Sequence, residues 1–173
     1  MTSPQQLLID IAREDVGKRE VTQNRAPWIA KYWPETSYPD GMANREPYCA
    51  AAMCYVLAEF IRRLADEGEL RKTLGMGSVE AHKWRCKSAR AFGWKEWALK
   101  KNVQMFGDSM IPKPGDFVVF DFSHAGLVVK PVGKTQMQTI EMNTNEGGSR
   151  EGDGCMEKIR QRSLAQCFIR IIP

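Results

Sequence analysis

The sequence lacks the features that would place it in a membrane or on nucleic acid. Its 173 residues contain no apolar run near the ~18 residues that a membrane-spanning helix requires. No block of lysine and arginine with interleaved aromatic residues marks a nucleic-acid surface. Residues 1–20 lack the basic start and the unbroken apolar core of a secretory signal. We therefore expect no membrane span and no nucleic-acid partner, and we expect synthesis in the cytoplasm without a signal peptide.

The chain also lacks a recognisable disulfide or zinc-binding pattern, and it has few histidines. The five cysteines are an odd number, and their spacing matches neither a zinc knuckle nor a CxxC motif, so reduced thiols are expected. Only two histidines are present, which limits the candidates for a general base. The net charge of +4 and the pI near 8.8 favour approach to anionic polymers without selecting one of them.

The first part of the chain has the pattern of helices. Ser3 and Pro4 form a helix start, and apolar spacing predicts a helix over roughly 4–16. A proline-rich loop with at most one short helix is expected over 22–47. A long helix should follow from Cys49 and stop at Gly68. A further helical region is predicted over 78–99, broken only at Gly93.

After Pro112 and Pro114 the pattern changes to short β-rich runs separated by turn residues. The predicted strands are "GDFVVFDF", "HAGLVVK", "QMQTIEMN", "CMEKIRQR" and "CFIRII". Helices followed by strands predict an α+β fold, with the helices packed on a largely antiparallel sheet of five to six strands. The length and the absence of a linker predict one domain over 1–173.

Cys49 differs from the other cysteines in its position. Buried packing is the ordinary role of a free cysteine, and it suits Cys54, Cys86, Cys155 and Cys167. Cys49 is expected in the first turn of its helix, where unpaired N–H groups and the helix dipole stabilise a thiolate. Cys49 is therefore a candidate nucleophile.

A cysteine nucleophile needs a base, and His124 is the better of the two histidines. His82 lies in a charged helical stretch, whereas His124 opens a predicted strand. On the next strand, Glu141 and Asn143 are two residues apart, so both should share one face while the apolar residues between and before them face the core. Either side chain could orient the imidazole, although a solvated strand face explains the pair equally well.

These motifs together resemble the CHAP family, the cysteine, histidine-dependent amidohydrolases and peptidases of the papain-like NlpC-type superfamily. "EPYCAAAMCYVL" is similar to the family's Pro-aromatic-Cys-Ala helix start. "PKPGDFVVFDFSHAGLVV" is similar to its Pro-Gly-Asp strand and the His-x-Gly strand that follows. "TIEMNTNEGGSREGDGCMEKIR" is similar to its Glu-x-Asn strand, Gly-rich turn and next strand. The resemblance covers most of the chain and implies a papain-like α+β fold.

The resemblance implies hydrolysis of an amide bond in bacterial peptidoglycan, by an endolysin-like or other wall-lytic enzyme. Cys49 would be the nucleophile, His124 the general base and acid, and Glu141 the residue that orients the imidazole. Asn143 would help the triad or the oxyanion site, to which the backbone N–H of Cys49 would also contribute. The substrate partner would be peptidoglycan, reached in the periplasm or cell wall after release or export.

The sequence also departs from the family. Asp40 stands alone where some members have closely spaced aspartates that bind calcium, so we expect no metal and no cofactor. We expect no separate wall-binding domain, unlike in many lysins for Gram-positive hosts. A compact phage endolysin or a secreted antibacterial effector is the expected context, with a holin or an immunity protein as the candidate partner and a monomer as the expected state.

Two other functions are compatible with the same residues. The triad could serve a cysteine protease or deamidase that acts on proteins, or the fold could be a non-catalytic phage structural or wall-binding module. An intact set of Cys49, His124 and Glu141 argues against the second of these. The aromatic residues of the long loop either line a substrate cleft or pack the loop against the core. They are Trp28, Trp33, Tyr38 and Tyr48.

Overall fold

Five α-helices precede a six-stranded antiparallel sheet in the computed structural model, which describes residues 2–64 and 66–173. The helices are α1 (Pro4–Arg13), α2 (Cys49–Arg63), α3 (Glu67–Leu74), α4 (Ser78–Trp84) and α5 (Ala91–Lys100). The strands are β1 (Gln104–Phe106), β2 (Phe117–Phe120), β3 (His124–Val132), β4 (Gln136–Thr144), β5 (Gly154–Gln161) and β6 (Ala165–Arg170). The predicted α+β class, with helices first and then an antiparallel sheet, is confirmed.

The strands lie in the order β1-β6-β2-β3-β4-β5. Strands β2 to β5 form a meander of consecutive hairpins, and β6 returns along the other side of β2. The central helix α2 packs on β3 and β4. Its three consecutive alanines, Ala50 to Ala52, are fully buried, and their small side chains let the helix lie close to the sheet. This packing brings the beginning of α2 next to the two strands that carry the other candidate residues.

The two faces of the sheet have different cores. The helix side holds the main apolar cluster, to which β4 contributes Ile140 and Met142. The opposite side holds a smaller cluster formed by Val118, Phe120, Val128, Met137 and Phe168. Because side chains alternate along β4, Glu141 is on the same face as Met137 and Thr139, opposite the helices.

Several predicted boundaries are wrong, for local reasons. Gly68 does not stop a helix; it lies inside α3, which begins because the Asp66 carboxylate caps the N–H groups of Gly68 and Glu69. Gly93 likewise lies inside α5, and the break in this region falls over 85–90. The first helix ends at Arg13, three residues before the predicted end.

The long loop and the sheet edge also differ from the prediction. The loop over 22–47 contains three short 3-10 helices, each with a proline in its first turn, where one was expected. Strand β1 was missed, since its three residues pair only with β6 and show no clear alternation. Among the helices of the described residues, none has the length and apolar character that crossing a membrane requires.

Candidate active site

Cys49 is the first residue of α2 and is buried, with 4% of its surface exposed. No side chain caps the first turn of this helix, so its N–H groups are available to an anion. Burial raises the pKa of the Cys49 thiol, but the positive charge of His124 and hydrogen bonds from the backbone N–H groups of Ala125 and Ala50 outweigh burial. The pKa of Cys49 therefore lies below its ordinary value, and the thiolate is favoured.

His124 is the first residue of β3, directly after a three-residue hairpin loop that follows Phe120. Ser123 closes this loop with φ of 60°, the left-handed conformation that such short hairpins use. The imidazole is fully buried and stacks on Phe120 and Phe122, with each ring centroid 5.8 Å away. The tight turn and the stacking together fix the ring at the end of the sheet nearest α2.

Glu141 lies opposite Gly126 on the neighbouring strand and is fully buried. Its Oε2 is 3.1 Å from His124 Nε2, which leaves Nδ1 as the ring nitrogen for the thiol. The distance suits a hydrogen bond, but neither imidazole nitrogen is well aligned with an acceptor. Such contacts are often loosely aligned in a free catalytic site and tighten when substrate binds. The structure thus brings together Cys49, His124 and Glu141 from three separate elements.

The charges of these three side chains support one another. Burial lowers the pKa of His124, but the Cys49 thiolate and the Glu141 carboxylate outweigh burial and raise it to about 9. Burial raises the pKa of Glu141, but hydrogen bonds and charges from Arg160 and His124 outweigh burial and lower it to about 2. These directions favour a thiolate on Cys49 and an imidazolium on His124 beside an ionised Glu141.

Sequence reasoning missed Arg160, which forms a two-point salt bridge with Glu141. Arg160 is on β5, which pairs with β4, and its side chain reaches the face of the sheet that carries Glu141. Strand alternation in "CMEKIRQR" places Lys158 and Arg160 on one face. Choosing between the two cations requires the pairing register of β4 and β5, which the sequence does not reveal.

Contrary to the prediction, Asn143 does not share the face of β4 that carries Glu141. The pairing of β4 with β5 shifts between Met142 and Thr144, and Asn143 is the bulged residue, with φ of 59°. Its amide donates to the Gly152 carbonyl at 3.0 Å and to Asn24 Oδ1 at 2.9 Å, so it joins the β4–β5 connection to the loop before Cys49. A bulge re-aims the side chain, which is why the two-residue spacing failed here. The proposed role of Asn143 in the triad or oxyanion site stays a prediction.

Cys49 opens into a cleft of about 730 Å³. Ser123 and Arg150 line one part of this cleft, and residues 88–92 line another. Its lining includes both acidic and basic side chains, namely Glu46, Arg90, Glu96 and Arg150. A slightly larger hollow, about 770 Å³, lies between residues 19–24 and 145–153 and includes no member of the triad.

Some aromatic residues of the long loop line the cleft, and others pack the loop against the core. Trp33 and Tyr38 line the cleft, and Tyr38 is 41% exposed. Trp28 and Tyr48 instead pack edge to face, with ring centroids 5.7 Å apart. Residues 2–64 and 66–173 contain no group of three or more potential ligands that could hold a metal ion.

The arrangement has the parts that acyl transfer through cysteine needs. These parts are a thiolate at a helix N-terminus, an imidazole that can carry a proton, and a carboxylate that orients the imidazole. Comparison with protein-family models and with curated proteins gives no match for this chain. The functional argument therefore depends on the geometry of the site and on the resemblance of its motifs.

Proposed function

We propose that this protein is a cysteine-dependent amide hydrolase that acts on bacterial peptidoglycan. The observation that carries the proposal is the meeting of Cys49, which lines the cleft, with the buried side chains of His124 and Glu141, whose charges favour a thiolate–imidazolium pair. Burying ionised side chains costs folding free energy unless the charges are paired, and the three side chains of this site pair their charges.

The proposed reaction has two halves. The Cys49 thiolate attacks the carbonyl carbon of the amide, and the His124 imidazolium gives its proton to the departing amine as the C–N bond breaks. The product of this half is a thioester on Cys49 and a free amine. His124, now neutral, takes a proton from water, which attacks the thioester. The C–S bond breaks to regenerate the thiolate and release a carboxylic acid, which loses its proton to solvent. The Cys49 backbone N–H, at the start of α2, is placed to donate to the oxyanion of each intermediate.

Three features support the cell wall as the substrate. The motifs around the triad resemble those of wall-lytic CHAP enzymes, and the net charge of +4 favours approach to an anionic polymer. The cleft also presents carboxylates and guanidinium groups together, which suits stem peptides that carry both amino and carboxyl groups. The site of action would then be the periplasm or the cell wall.

The test is to incubate the protein with purified peptidoglycan from Gram-negative and Gram-positive bacteria and to identify released fragments by mass spectrometry. Wild type should release fragments with new amine and carboxyl ends, and Cys49→Ala should release none. Cys167→Ala is the matched control, because Cys167 is 3% exposed and lies on β6 outside the cleft. This control should retain activity.

Two outcomes would contradict parts of the proposal. Fragment release by Cys49→Ala would exclude Cys49 as the nucleophile. If no wall is cut while Cys49 is still selectively alkylated, the wall is the wrong substrate and the search moves to proteins, as for a cysteine protease or deamidase.

A further inference from the structure

The Glu141 carboxylate is held by four contacts that use both of its oxygens. Oε1 accepts from Arg160 Nε at 2.8 Å and from Thr139 Oγ1 at 2.7 Å. Oε2 accepts from Arg160 Nη2 at 2.6 Å and lies 3.1 Å from His124 Nε2. The two-point contact with Arg160 fixes the plane of the carboxylate, so Oε2 cannot rotate away from the imidazole.

Arg160 is itself held in one orientation. Its guanidinium donates to the Gly148 carbonyl at 3.0 Å and lies 5.5 Å from the ring centres of Phe120 and Phe122, the two rings that also stack on His124. Gly148 has φ of 78°, and a Cβ there would lie only 2.5 Å from Arg160 Nη1. The absence of a side chain at Gly148, in the connection after β4, therefore leaves the space that this guanidinium occupies.

The charges of the site balance only when Arg160 is counted. The thiolate, the imidazolium and the Glu141 carboxylate carry a net charge of −1 among buried groups, and Arg160 brings the sum to zero. A buried carboxylate without a cation tends to take up a proton, because burial disfavours its charged form. A protonated Glu141 would stabilise the His124 imidazolium much less.

We propose that Arg160 is a positioning residue of the reaction, which keeps Glu141 ionised and holds its Oε2 against His124. This inference rests on the proposed role of Cys49 as the nucleophile, but it does not depend on the substrate being the cell wall. Arg160 lies on β5 and acts on the chemistry through its contact with Glu141.

Few charged groups face the contacts that join Cys49, His124, Glu141 and Arg160. The charged groups that face His124 are Cys49 from α2 and Glu141 from β4, and those that face Glu141 are His124 and Arg160. Lys158, on the same face of β5 as Arg160, donates instead to the carbonyls of Asn145 and Glu146. Lys158 is thus engaged elsewhere.

The test measures the rate at which iodoacetamide alkylates Cys49 from about pH 4 to about pH 10, a range that spans the ordinary pKa values of carboxyl, imidazole and thiol groups. This readout needs no substrate. In Arg160→Met the acid side of the profile should move to higher pH, by about one pH unit or more, which lowers the rate about tenfold on that limb. Arg160→Lys keeps the charge and loses the two-point contact, so it should restore most of the acid limb.

Arg170→Met is the matched control. Arg170, at the end of β6, forms the same two-point contact with buried Asp116, through Nε at 2.9 Å and Nη2 at 2.7 Å. Asp116 lies directly before β2, and neither β6 nor β2 carries a member of the triad. Its loss should lower thermal stability and leave the pH profile of Cys49 unchanged. Circular dichroism of each variant separates this structural effect from the effect on reactivity.

The outcomes separate the two proposals. If wild-type Cys49 is no more reactive than the other thiols, the proposed nucleophile is wrong. If wild-type Cys49 is selectively reactive and folded Arg160→Met keeps its acid limb, the role of Arg160 is wrong and the nucleophile stands. Should Arg160→Met fail to fold, Arg160→Lys decides through turnover. This variant keeps the charge but loses the two-point contact that holds Oε2 against His124, so we expect lower turnover, and unchanged turnover would overturn the positioning role.

Discussion

Gly126 and Glu141 lie directly opposite each other on β3 and β4, and the absent side chain of the glycine leaves the space that the glutamate fills. A Cβ at position 126 would lie 3.0 Å from Glu141 Cγ and 3.0 Å from the Ile140 carbonyl oxygen. The backbone carbonyl cannot move without disturbing the strand pairing, so Glu141 would have to move. The His-x-Gly motif therefore has a physical reason in this chain: Gly126 admits the carboxylate that contacts His124.

We expect Gly126→Ala to lower kcat roughly tenfold, less than the ~10²-fold that a full 1 Å misplacement can cost. The reason is a displacement of Glu141 by a few tenths of an ångström from its contact with His124. The measurement is turnover on the substrate that the peptidoglycan assay identifies, with thermal unfolding measured in parallel.

Gly107→Ala is the control for this variant, because nothing lies within 4 Å of a Cβ there and its φ is not in the left-handed region. It should match wild type in both measurements. Full turnover by a folded Gly126→Ala protein would show that the position of Glu141 does not limit the reaction.

Much of this arrangement could be predicted from the sequence, because it depends on local patterns. The helix start and the strand position make Cys49 and His124 candidates, and the five longer strands follow from the same kind of pattern. Strand alternation leaves both Glu141 and Asn143 as partners for the imidazole, and only the family resemblance favours Glu141. Arg160 could not be found in this way, since its contact depends on the register of β5 against β4. Asn143 was misplaced because a bulge adds one residue that alternation does not anticipate.

The rate of alkylation should distinguish the activated thiol of Cys49 from an equally buried thiol that is not activated. Cys49 and Cys167 are almost equally buried, at 4% and 3% exposed. Burial raises the pKa of Cys167 to about 11, whereas the pKa of Cys49 is lowered. At pH 7 iodoacetamide should therefore modify Cys49 at least about tenfold faster than Cys167, as the difference in thiolate content requires.

Peptide mass spectrometry of briefly treated protein measures both sites in one sample. After denaturation all five cysteines should react at similar rates, which is the internal control. Comparable rates at Cys49 and Cys167 in the folded protein would mean that the helix start and His124 do not activate the thiol.

The activity should depend on pH through His124 and Cys49. The value of kcat/KM should fall as pH rises through about 9, where His124 loses the proton that the leaving amine needs. On the acid side it should fall at a pH below the ordinary pKa of a thiol, where Cys49 becomes protonated. A pH–rate profile whose basic limb lay near the ordinary pKa of histidine, about 6.5, would show that the ion pair does not form.

The free energy of unfolding should depend on pH through His124 and Glu141. The pKa of His124 is raised from 6.5 to about 9 in the folded state, so its contribution to the free energy of unfolding is complete below pH 6.5 and lost as pH rises through about 9. Glu141 has the opposite sign: its contribution is complete above pH 4.5 and lost as pH falls through about 2. Thermal unfolding of the wild type across this pH range measures both the loss of stability at high pH and the loss at low pH. Arg170→Met, which changes a site away from the triad, is the control.

Asn143 offers a test between a structural and a catalytic role. Its amide makes buried hydrogen bonds to Asn24 and to the Gly152 carbonyl, so Asn143→Ala should lower the free energy of unfolding by about 1–3 kcal/mol. Asn24→Ala removes a partner of the same amide from the loop before Cys49 and is the matched control.

If Asn143 is structural, the two variants should lose stability together and retain comparable turnover at a temperature where both are folded. If Asn143 serves the triad or the oxyanion, as the resemblance implies, Asn143→Ala should lose turnover by a factor that Asn24→Ala does not share. The structure favours the first result, because the bulge directs the amide toward the loop and the β4–β5 connection. A large loss of kcat in a stable Asn143→Ala protein would contradict that expectation and place the backbone or side chain of Asn143 in the reaction.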